Sequence, residues 1–232
     1  MQPAEGILGI FVKAPISGQV KTRLGNAIGM DLAARFADVF QQDLLEQTQA
    51  VARRRVIAFS PGTEQAHSHF QNFALASDQL WKQPEASLGD RLIPFFEAFV
   101  KEGRPVLVIG SDSPSLPVDR ITEAFQRLHS HDVVVGPATD GGYYLIGMNQ
   151  PNSELFTNIE WSSPRVLEQT VQRVRTLGLS LSLLTPWYDV DTIDDLRMLQ
   201  GHLAALKLGG HPIPRRTEAL LREFSPLEVR DR

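Results

Sequence analysis

The sequence contains no cysteine. That absence excludes disulfide crosslinks, zinc thiolate sites, iron–sulfur clusters and a thiol nucleophile, and it favours a reducing compartment. No apolar run approaches the roughly 18 residues that a membrane-spanning helix needs, and the first residues lack the basic and apolar regions of a signal peptide. We therefore expect a soluble, cytoplasmic protein without a membrane span.

An excess of positive charge is also missing. The 232 residues include 23 Lys and Arg against 27 Asp and Glu, for a net charge of −4. Nucleic-acid affinity rests largely on phosphate neutralisation by clustered cations, so a nucleic-acid partner is not expected. A hydrophobic fraction of 42% suits one large domain with an adequate core, and two small domains are the alternative.

Short β-rich runs alternate with amphipathic segments along the chain. This pattern predicts an α/β fold of three layers, α/β/α, with a mostly parallel twisted sheet covered on both faces. The predicted strands lie near 7–13, 54–59, 73–81, 105–110, 132–137, 143–148 and 180–187. Helices are predicted around 32–44, 92–99, 118–128 and 164–176.

Two glycines, Gly209 and Gly210, followed by two prolines, break the chain near its C-terminus. We expect residues 1–208 to form the main domain and 209–232 a C-terminal helical tail. The tail carries an amphipathic pattern, which indicates packing on the domain or on a partner. A homo-oligomer is therefore compatible with the sequence.

The first strand runs into a loop with three cations, Lys13, Lys21 and Arg23, and with Gly18 between them. Glycine lets a ligand approach the backbone closely, and exposed N–H groups at a helix start favour an anion. Phosphate is the anion that this chemistry predicts. The alternative is a solvated basic turn, because the loop has neither the Walker A spacing nor the Gly-x-Gly-x-x-Gly fingerprint.

Acidic residues follow two of the predicted strands, at Asp112 and Asp140. Ligands collect outside the carboxyl ends of strands in open α/β sheets, so Asp112 can reach a Mg²⁺ ion that bridges phosphate oxygens. Near the C-terminus, Asp189 and Asp191 are spaced to point the same way along an extended segment, and one of them could face Asp112. Thr192 and the Asp three residues later predict a helix capping box instead.

Gly141, Gly142 and Tyr143 follow Asp140 and predict a surface for an acceptor, with bare backbone and an aromatic ring for stacking. A tight Asp-Gly hairpin between strands 132–137 and 143–148 is the alternative, and it needs no ligand. Arg91 is either a phosphate contact or part of a simple helix start.

Taken in order, the motifs carry a family resemblance. They are Lys-Ala-Pro-x-x-Gly-x-Val-Lys-Thr-Arg-Leu, Gly-x-Arg-Leu at 89–92, Gly-Ser-Asp-x-Pro, Gly-Pro-Ala-x-Asp-Gly-Gly-Tyr-Tyr-Leu and Asp-Val-Asp-Thr. Over about residues 6–200 the chain resembles the nucleotide-diphospho-sugar transferase superfamily, which has the Rossmann-like glycosyltransferase-A fold. It is similar to bacterial proteins of that fold assigned only provisionally as glycosyltransferases. Nucleotidyltransferases of molybdopterin and deazaflavin cofactor synthesis share the plan.

The resemblance implies roles for individual residues. Asp112 is implied as the principal ligand of Mg²⁺ or Mn²⁺, with Asp191 as the second carboxylate and Asp189 as the less favoured choice. The resemblance also implies that the loop around Ala14 and Pro15 borders the base while Lys21 and Arg23 hold phosphates. Together with the residue patterns above, the predicted catalytic residues are Lys21, Asp112 and Asp140. The predicted nucleotide and substrate contacts are Lys13, Ala14, Pro15, Gly18, Lys21, Arg23, Arg91, Ser111, Gly141, Gly142 and Tyr143. The first loop lacks the Gly-Gly-x-Gly run of sugar-nucleotide pyrophosphorylases, so their nucleotide contacts do not transfer directly.

Three functions follow from these expectations. The first is a metal-dependent transferase with a nucleotide-diphosphate donor and a small-molecule acceptor, with glycosyl transfer placed ahead. The second is a nucleotidyltransferase that moves NMP from an NTP to a phosphorylated small molecule and releases pyrophosphate. The third is a catalytically silent nucleotide- or sugar-binding module. A serine hydrolase is excluded because Ser111 and Ser113 lie outside a Gly-x-Ser-x-Gly motif.

Overall fold

The computed structural model describes residues 3–100 and 104–224. Within these ranges the strands are β1 (Ala4–Lys13), β2 (Ala52–Ser60), β3 (Gln79–Lys82), β4 (Val106–Ile109), β5 (Val133–Pro137), β6 (Tyr143–Met148) and β7 (Leu181–Leu183). The helices are α1 (Thr22–Ile28), α2 (Met30–Gln47), α3 (Glu64–Gln71), α4 (Leu88–Phe99), α5 (Val118–Arg127), α6 (Val166–Thr176), α7 (Ile193–Leu208) and α8 (Arg215–Glu223). A 3-10 helix covers Ser153–Phe156.

The seven strands form one sheet in the order β3-β2-β1-β4-β6-β5-β7. β1 pairs in parallel with β2 and β4, β2 with β3, and β5 with β7. Among the strands of the described residues, only β6 runs antiparallel to its neighbours, β4 and β5. The prediction of a mostly parallel sheet is confirmed.

Apolar side chains cover the sheet on both faces. One cluster joins β1 and β2 to α3 and α5, with Phe70 and Ile121 fully buried. The other cluster joins the opposite face to α4 and α6 and contains Phe95 and Val174. Burial on both faces explains why the strands are nearly continuous runs of apolar residues. The α/β/α layering is therefore confirmed.

The C-terminal helix packs on the domain through a third apolar cluster, which also includes residues of α1, α2 and α7. Leu220 and Leu221 lie against this cluster, and the buried Asp43 of α2 accepts the backbone N–H of Thr217 at 2.8 Å. An acidic side chain supplied by α2 thus satisfies a free N–H at the start of α8. Residues 225–232 of the predicted tail lie outside the described residues.

The structure differs from the prediction in several elements. The strand predicted at 180–187 covers only Leu181–Leu183. The strand predicted at 73–81 begins only at Gln79, because Asp78 folds the preceding residues into a turn. The Asp78 carboxylate accepts the N–H of Leu75 at 2.8 Å and makes a buried ion pair with Arg55 at 2.5 Å. Helix α3, which is capped by the Thr63 hydroxyl, was not predicted.

No helix in the described part of the chain is both long and apolar enough to cross a membrane.

Candidate active site

The sheet creates a crevice at the carboxyl ends of β1 and β4. The chain places β2 and β3 on one side of β1 and then returns to add β4 on the other, so the connections leave in opposite directions. Ligands of open α/β sheets bind at such a switch point. A cleft of about 600 Å³ opens here, lined by Lys13 at the end of β1 and by Gly110 just after β4. Its volume lies within the range of small-molecule sites.

Lys21 lines this cleft and joins two acidic residues from distant parts of the chain. Its ammonium contacts Asp112 Oδ1 and lies 2.9 Å from Asp191 Oδ1. The Lys21 side chain is 4% exposed, whereas those of Asp112 and Asp191 are 52% and 39% exposed. The two carboxylates therefore remain open to the cleft while they hold the buried cation.

The backbone at Lys21 has an unusual conformation. Its φ of 47° and ψ of 41° are left-handed, and the residue directly precedes α1. A non-glycine residue in this region costs on the order of 1 kcal/mol or more and persists only where its surroundings fix it. The ion pairs and the Phe40 ring, whose centroid is 5.8 Å from the ammonium, supply such surroundings.

Asp112 and Asp191 are held next to each other by backbone as well as side chains. The N–H of Val190 donates to the carbonyl oxygen of Asp112 at 2.9 Å. Val190 is fully buried in the third apolar cluster, while Asp189 and Asp191 on either side of it line the cleft. Ser113 donates its hydroxyl to Asp189 at 2.5 Å, so Asp191 rather than Asp189 pairs with Lys21.

Burial and charge set the protonation of this group. Burial alone lowers the pKa of Lys21, but the adjacent Asp112 and Asp191 carboxylates outweigh it and raise that pKa above its ordinary value. Burial raises the pKa of Asp189 to about 6. The Ser113 hydrogen bond and Lys21 oppose that rise, and the charges of Asp112 and Asp140 add to it. Lys21 is therefore an ammonium ion at neutral pH.

Three other cations line the cleft: Lys13, Arg23 and Arg91. Within residues 3–100 and 104–224, no carboxylate forms an ion pair with any of them. Lys13 instead donates to the carbonyl oxygen of Gln19 at 2.7 Å. These side chains keep their positive charge available to an anion in the cleft.

Arg91 is oriented by neutral groups. Its Nε donates to the carbonyl oxygen of Ala86 at 2.8 Å, and one terminal nitrogen lies 3.5 Å from Gln83 Oε1. Gln83 is 2% exposed and is itself fixed through its amide nitrogen, which donates to the carbonyl oxygen of Ala58 at 2.5 Å. The guanidinium is thus placed in the cleft without being neutralised.

The acidic residues suit a divalent ion only as a pair. In the part of the chain that the structure describes, no group of three or more His, Asp or Glu side chains is arranged to hold a metal. Asp112 and Asp191 nevertheless offer hard oxygen ligands that open into the cleft. Because Mg²⁺ is often held by one or two carboxylates together with substrate phosphates, these two residues fit an ion that arrives with a phosphorylated ligand.

The segment after β5 forms a tight turn that also borders the cleft. Asp140 Oδ1 accepts the N–H of Gly142 at 2.8 Å, and both residues line the cleft with Tyr143. Gly141 has a φ of +93°, and a Cβ atom added there would lie 2.2 Å from the carbonyl oxygen of Pro164. The turn between β5 and β6 thus explains why position 141 is a glycine. Asp140, Gly142 and Tyr143 belong to the same turn but also line the cleft, where a ligand could contact them.

The structure brings most of the predicted site residues to one place. Those lining the cleft are Lys13, Lys21, Arg23, Arg91, Ser111, Asp112, Asp140, Gly142, Tyr143, Asp189 and Asp191. Four predicted contacts are absent from this lining: Ala14, Pro15, Gly18 and Gly141. Ala14 is buried in the first apolar cluster, which explains its position away from the cleft.

Several cleft residues were missed by the sequence argument. Gln41 lies in the apolar stripe of α2 and donates to the carbonyl oxygen of Lys13 at 2.9 Å. Trp161 packs edge-on to Tyr143 with a centroid separation of 6.4 Å, and Leu88 is 42% exposed. A polar residue within an apolar helical stripe and a tryptophan in a polar loop are the signals that could have found two of them.

The fold and the cleft, together with the similarity that follows, define the nucleotide-diphospho-sugar transferase class. A structure from Desulfovibrio desulfuricans G20, provisionally assigned as a nucleotide-diphospho-sugar transferase, is 32% identical over 95% of each chain, with a TM-score of 0.86. The chain belongs to the family described as "Uncharacterized protein conserved in bacteria (DUF2064)", whose model matches residues 43–163. No curated protein matched the chain in sequence.

Two nucleotidyltransferase structures share the fold at lower identity. The inositol-1-phosphate CTP transferase of T. maritima is 13% identical over 95% of this chain and 98% of its own, with a TM-score of 0.61. A CMP:2-keto-3-deoxy-manno-octonic acid synthetase complexed with CTP is 14% identical over 87% and 99%, with a TM-score of 0.54. At these identities the likeness establishes the fold alone.

Proposed function

We propose that the chain is a metal-dependent transferase that uses a nucleotide-diphosphate donor and transfers a glycosyl group. The observation that carries the proposal is the contact of Lys21 with both Asp112 and Asp191 in the cleft at the switch point. This arrangement places a fixed cation and two exposed carboxylates where a ligand of an open α/β sheet binds. The 32% identity to the Desulfovibrio protein supports the choice of donor.

The donor diphosphate is held by the cations that have no carboxylate partner within the described ranges. Lys13, Arg23 and Arg91 line the same cleft as Lys21. Arginine can bind phosphate oxygens in a bidentate manner, and lysine can follow a charge that moves during the reaction. Their charge therefore stabilises the nucleoside diphosphate as it leaves.

Metal and acceptor have separate places in this scheme. Asp112 and Asp191 would hold Mg²⁺ or Mn²⁺, which neutralises charge that develops on the phosphate oxygens. We assign Asp140, which is exposed and lines the cleft, as the residue that takes the proton of the acceptor hydroxyl. Gly142 and Tyr143 beside it leave room for a small acceptor.

Nucleotidyl transfer is the second candidate. It is favoured by the three cationic side chains in the cleft that have no carboxylate partner within the described ranges. Lys13, Arg23 and Arg91 suit a triphosphate, which carries more negative charge than a nucleotide sugar. In that reaction the acceptor attacks the α-phosphorus and pyrophosphate leaves, whereas glycosyl transfer breaks the C1–O bond of the sugar and releases a nucleoside diphosphate.

Product analysis distinguishes the candidates. The protein is incubated with Mn²⁺, a mixture of small hydroxylated and phosphorylated acceptors, and either UDP-, GDP- and CDP-sugars or the four nucleoside triphosphates. Release of a nucleoside diphosphate from a nucleotide sugar, lost on addition of EDTA, is the expected result. Release of pyrophosphate would favour the second candidate. Nucleotide binding without any product would instead support a silent module and contradict both reactions.

A further inference from the structure

The ammonium of Lys21 lies between the two carboxylates that the proposed function gives to a divalent ion. It contacts Asp112 Oδ1 and is 2.9 Å from Asp191 Oδ1. Mg²⁺ binds oxygen at about 2.0–2.1 Å, so an ion held by these same two oxygens would need the space around Lys21 Nζ. Lys21 would then have to leave them.

A lysine that leaves both carboxylates needs another negative partner. The Lys21 side chain is 4% exposed and passes over the Phe40 ring, so an unpaired ammonium there would be poorly solvated. Within the described ranges, Asp112 and Asp191 are the carboxylates that form ion pairs with Lys21. A phosphate oxygen of a ligand in the cleft is the partner that remains.

We propose that Lys21 and a divalent cation compete for Asp112 and Asp191, and that a phosphate of the donor accepts the displaced ammonium. Nucleotide and metal then bind cooperatively, and by linkage each raises the affinity of the other by the same factor. This inference rests on the proposed function, because it takes the two carboxylates as metal ligands. In this scheme Lys21 pairs with the two carboxylates before ligands bind, and with the phosphate once metal and nucleotide are bound.

The first test measures Mn²⁺ affinity in the absence of nucleotide, by electron paramagnetic resonance of free Mn²⁺ and by calorimetry. Lys21→Met and Lys21→Gln should each bind Mn²⁺ on the order of tenfold more tightly than the unmodified protein, because two carboxylates lose their cation. Lys21→Arg keeps the cation and should keep the weak affinity.

A matched control separates this local effect from net charge. Lys207 pairs with Glu218 at 2.7 Å, between α7 and α8 and away from the lining of the cleft. Lys207→Met removes the same charge and should leave the Mn²⁺ affinity within about twofold of the unmodified protein, because a distant exposed charge is screened. Circular dichroism melting curves establish that every variant is folded.

The second test repeats the titration with ADP, CDP, GDP and UDP, with metal binding to free nucleotide measured separately. The factor by which the tightest-binding nucleotide raises Mn²⁺ affinity should be about tenfold smaller in Lys21→Met than in the unmodified protein. In both the unmodified protein and Lys21→Met the phosphate can coordinate the metal directly. The difference between their two factors therefore reports the displacement of Lys21.

The outcomes separate the inference from the proposed function. Equal Mn²⁺ affinities for the unmodified protein, Lys21→Met and Lys21→Gln would overturn the competition and leave a metal-dependent transferase standing. Absence of Mn²⁺ binding in every sample, with and without nucleotide, would contradict the proposed metal dependence and the inference with it.

Discussion

The ammonium of Lys21 lies 2.9 Å from the carboxylate of Asp191, although 170 positions separate the two residues in the sequence. This contact joins the loop after the first strand to the segment before α7. Asp112, from the loop after β4, meets the same ammonium. The cleft therefore depends on the folding of the whole domain rather than on any local motif.

Replacing Asp112 with Asn should lower metal-dependent turnover by about 100-fold or more, because one of two anionic metal ligands is lost. The side chain is 52% exposed, so the fold should survive the change. Steady-state kinetics at saturating Mn²⁺ measures the effect. Asp194→Asn is the matched control, since that side chain is 82% exposed and pairs with Arg197 on the surface of α7. Unchanged turnover in Asp112→Asn would remove Asp112 from the mechanism.

Replacing Gly141 with Ala should destabilise the protein by about 2–4 kcal/mol. The added Cβ would lie 2.2 Å from the carbonyl oxygen of Pro164, at a φ of +93° that side chains rarely adopt. Urea unfolding gives the free energy. Gly201→Ala supplies the contrast, because nothing lies within 4 Å of the new Cβ in α7. It should stabilise the protein by roughly 0.5–1 kcal/mol, and equal effects at the two sites would refute the argument.

Replacing Asp43 with Ala should loosen α8. The buried carboxylate accepts the N–H groups of Arg216 at 3.1 Å and Thr217 at 2.8 Å. Loss of such a cap costs about 1–3 kcal/mol. Hydrogen exchange at Thr217 should accelerate more than at the centre of the sheet. Glu223→Gln breaks only an exposed pair with Arg35 and should change stability by less than about 1 kcal/mol. A smaller effect from Asp43→Ala than from Glu223→Gln would show that the cap is dispensable.

Stability below neutral pH should depend on Asp132. Hydrogen bonds from the hydroxyl and the backbone N–H of Ser180, at 2.6 and 2.8 Å, lower the pKa of its carboxyl. A carboxyl whose pKa is lower in the folded state stabilises the fold above its unfolded pKa, near 3.9. That contribution is lost as the pH falls through the folded pKa. Because the group is only partly buried, the contribution should be less than about 1 kcal/mol.

Urea unfolding of the unmodified protein and Asp132→Asn from pH 7 to pH 3 tests this linkage. The stability difference should be constant near neutral pH and shrink at the acid end of the series. A difference that grows as the pH falls would have the wrong sign and contradict the account.

The fold is well predicted from the sequence because the spacing of hydrophobic residues indicates which segments form strands and which form helices. Strands such as β1 and β6 are apolar runs, and the resemblance and the layering were both confirmed. The error at 73–81 has a physical cause. Asp78 turns the chain through a buried pair with Arg55, which is a tertiary contact that local pattern does not contain.

The candidate site could be predicted only in part. The carboxyl ends of the strands identify Asp112 and the first loop identifies Lys21, and both line one cleft in the structure. Their direct contact could not be predicted, because it depends on the left-handed backbone at Lys21 and on the Val190 hydrogen bond to Asp112. The roles given to these residues stay predictions until ligands are bound.

Anomalous diffraction at the manganese edge, from crystals soaked with Mn²⁺ and the tightest-binding nucleotide, tests the central claim most directly. The account predicts one strong peak within about 2.0–2.5 Å of carboxylate oxygens of Asp112 and Asp191 and of a nucleotide phosphate. Lys21 should then contact a phosphate oxygen. A nucleotide bound outside this cleft, or one bound in it with Mn²⁺ remote from both carboxylates, would contradict the account.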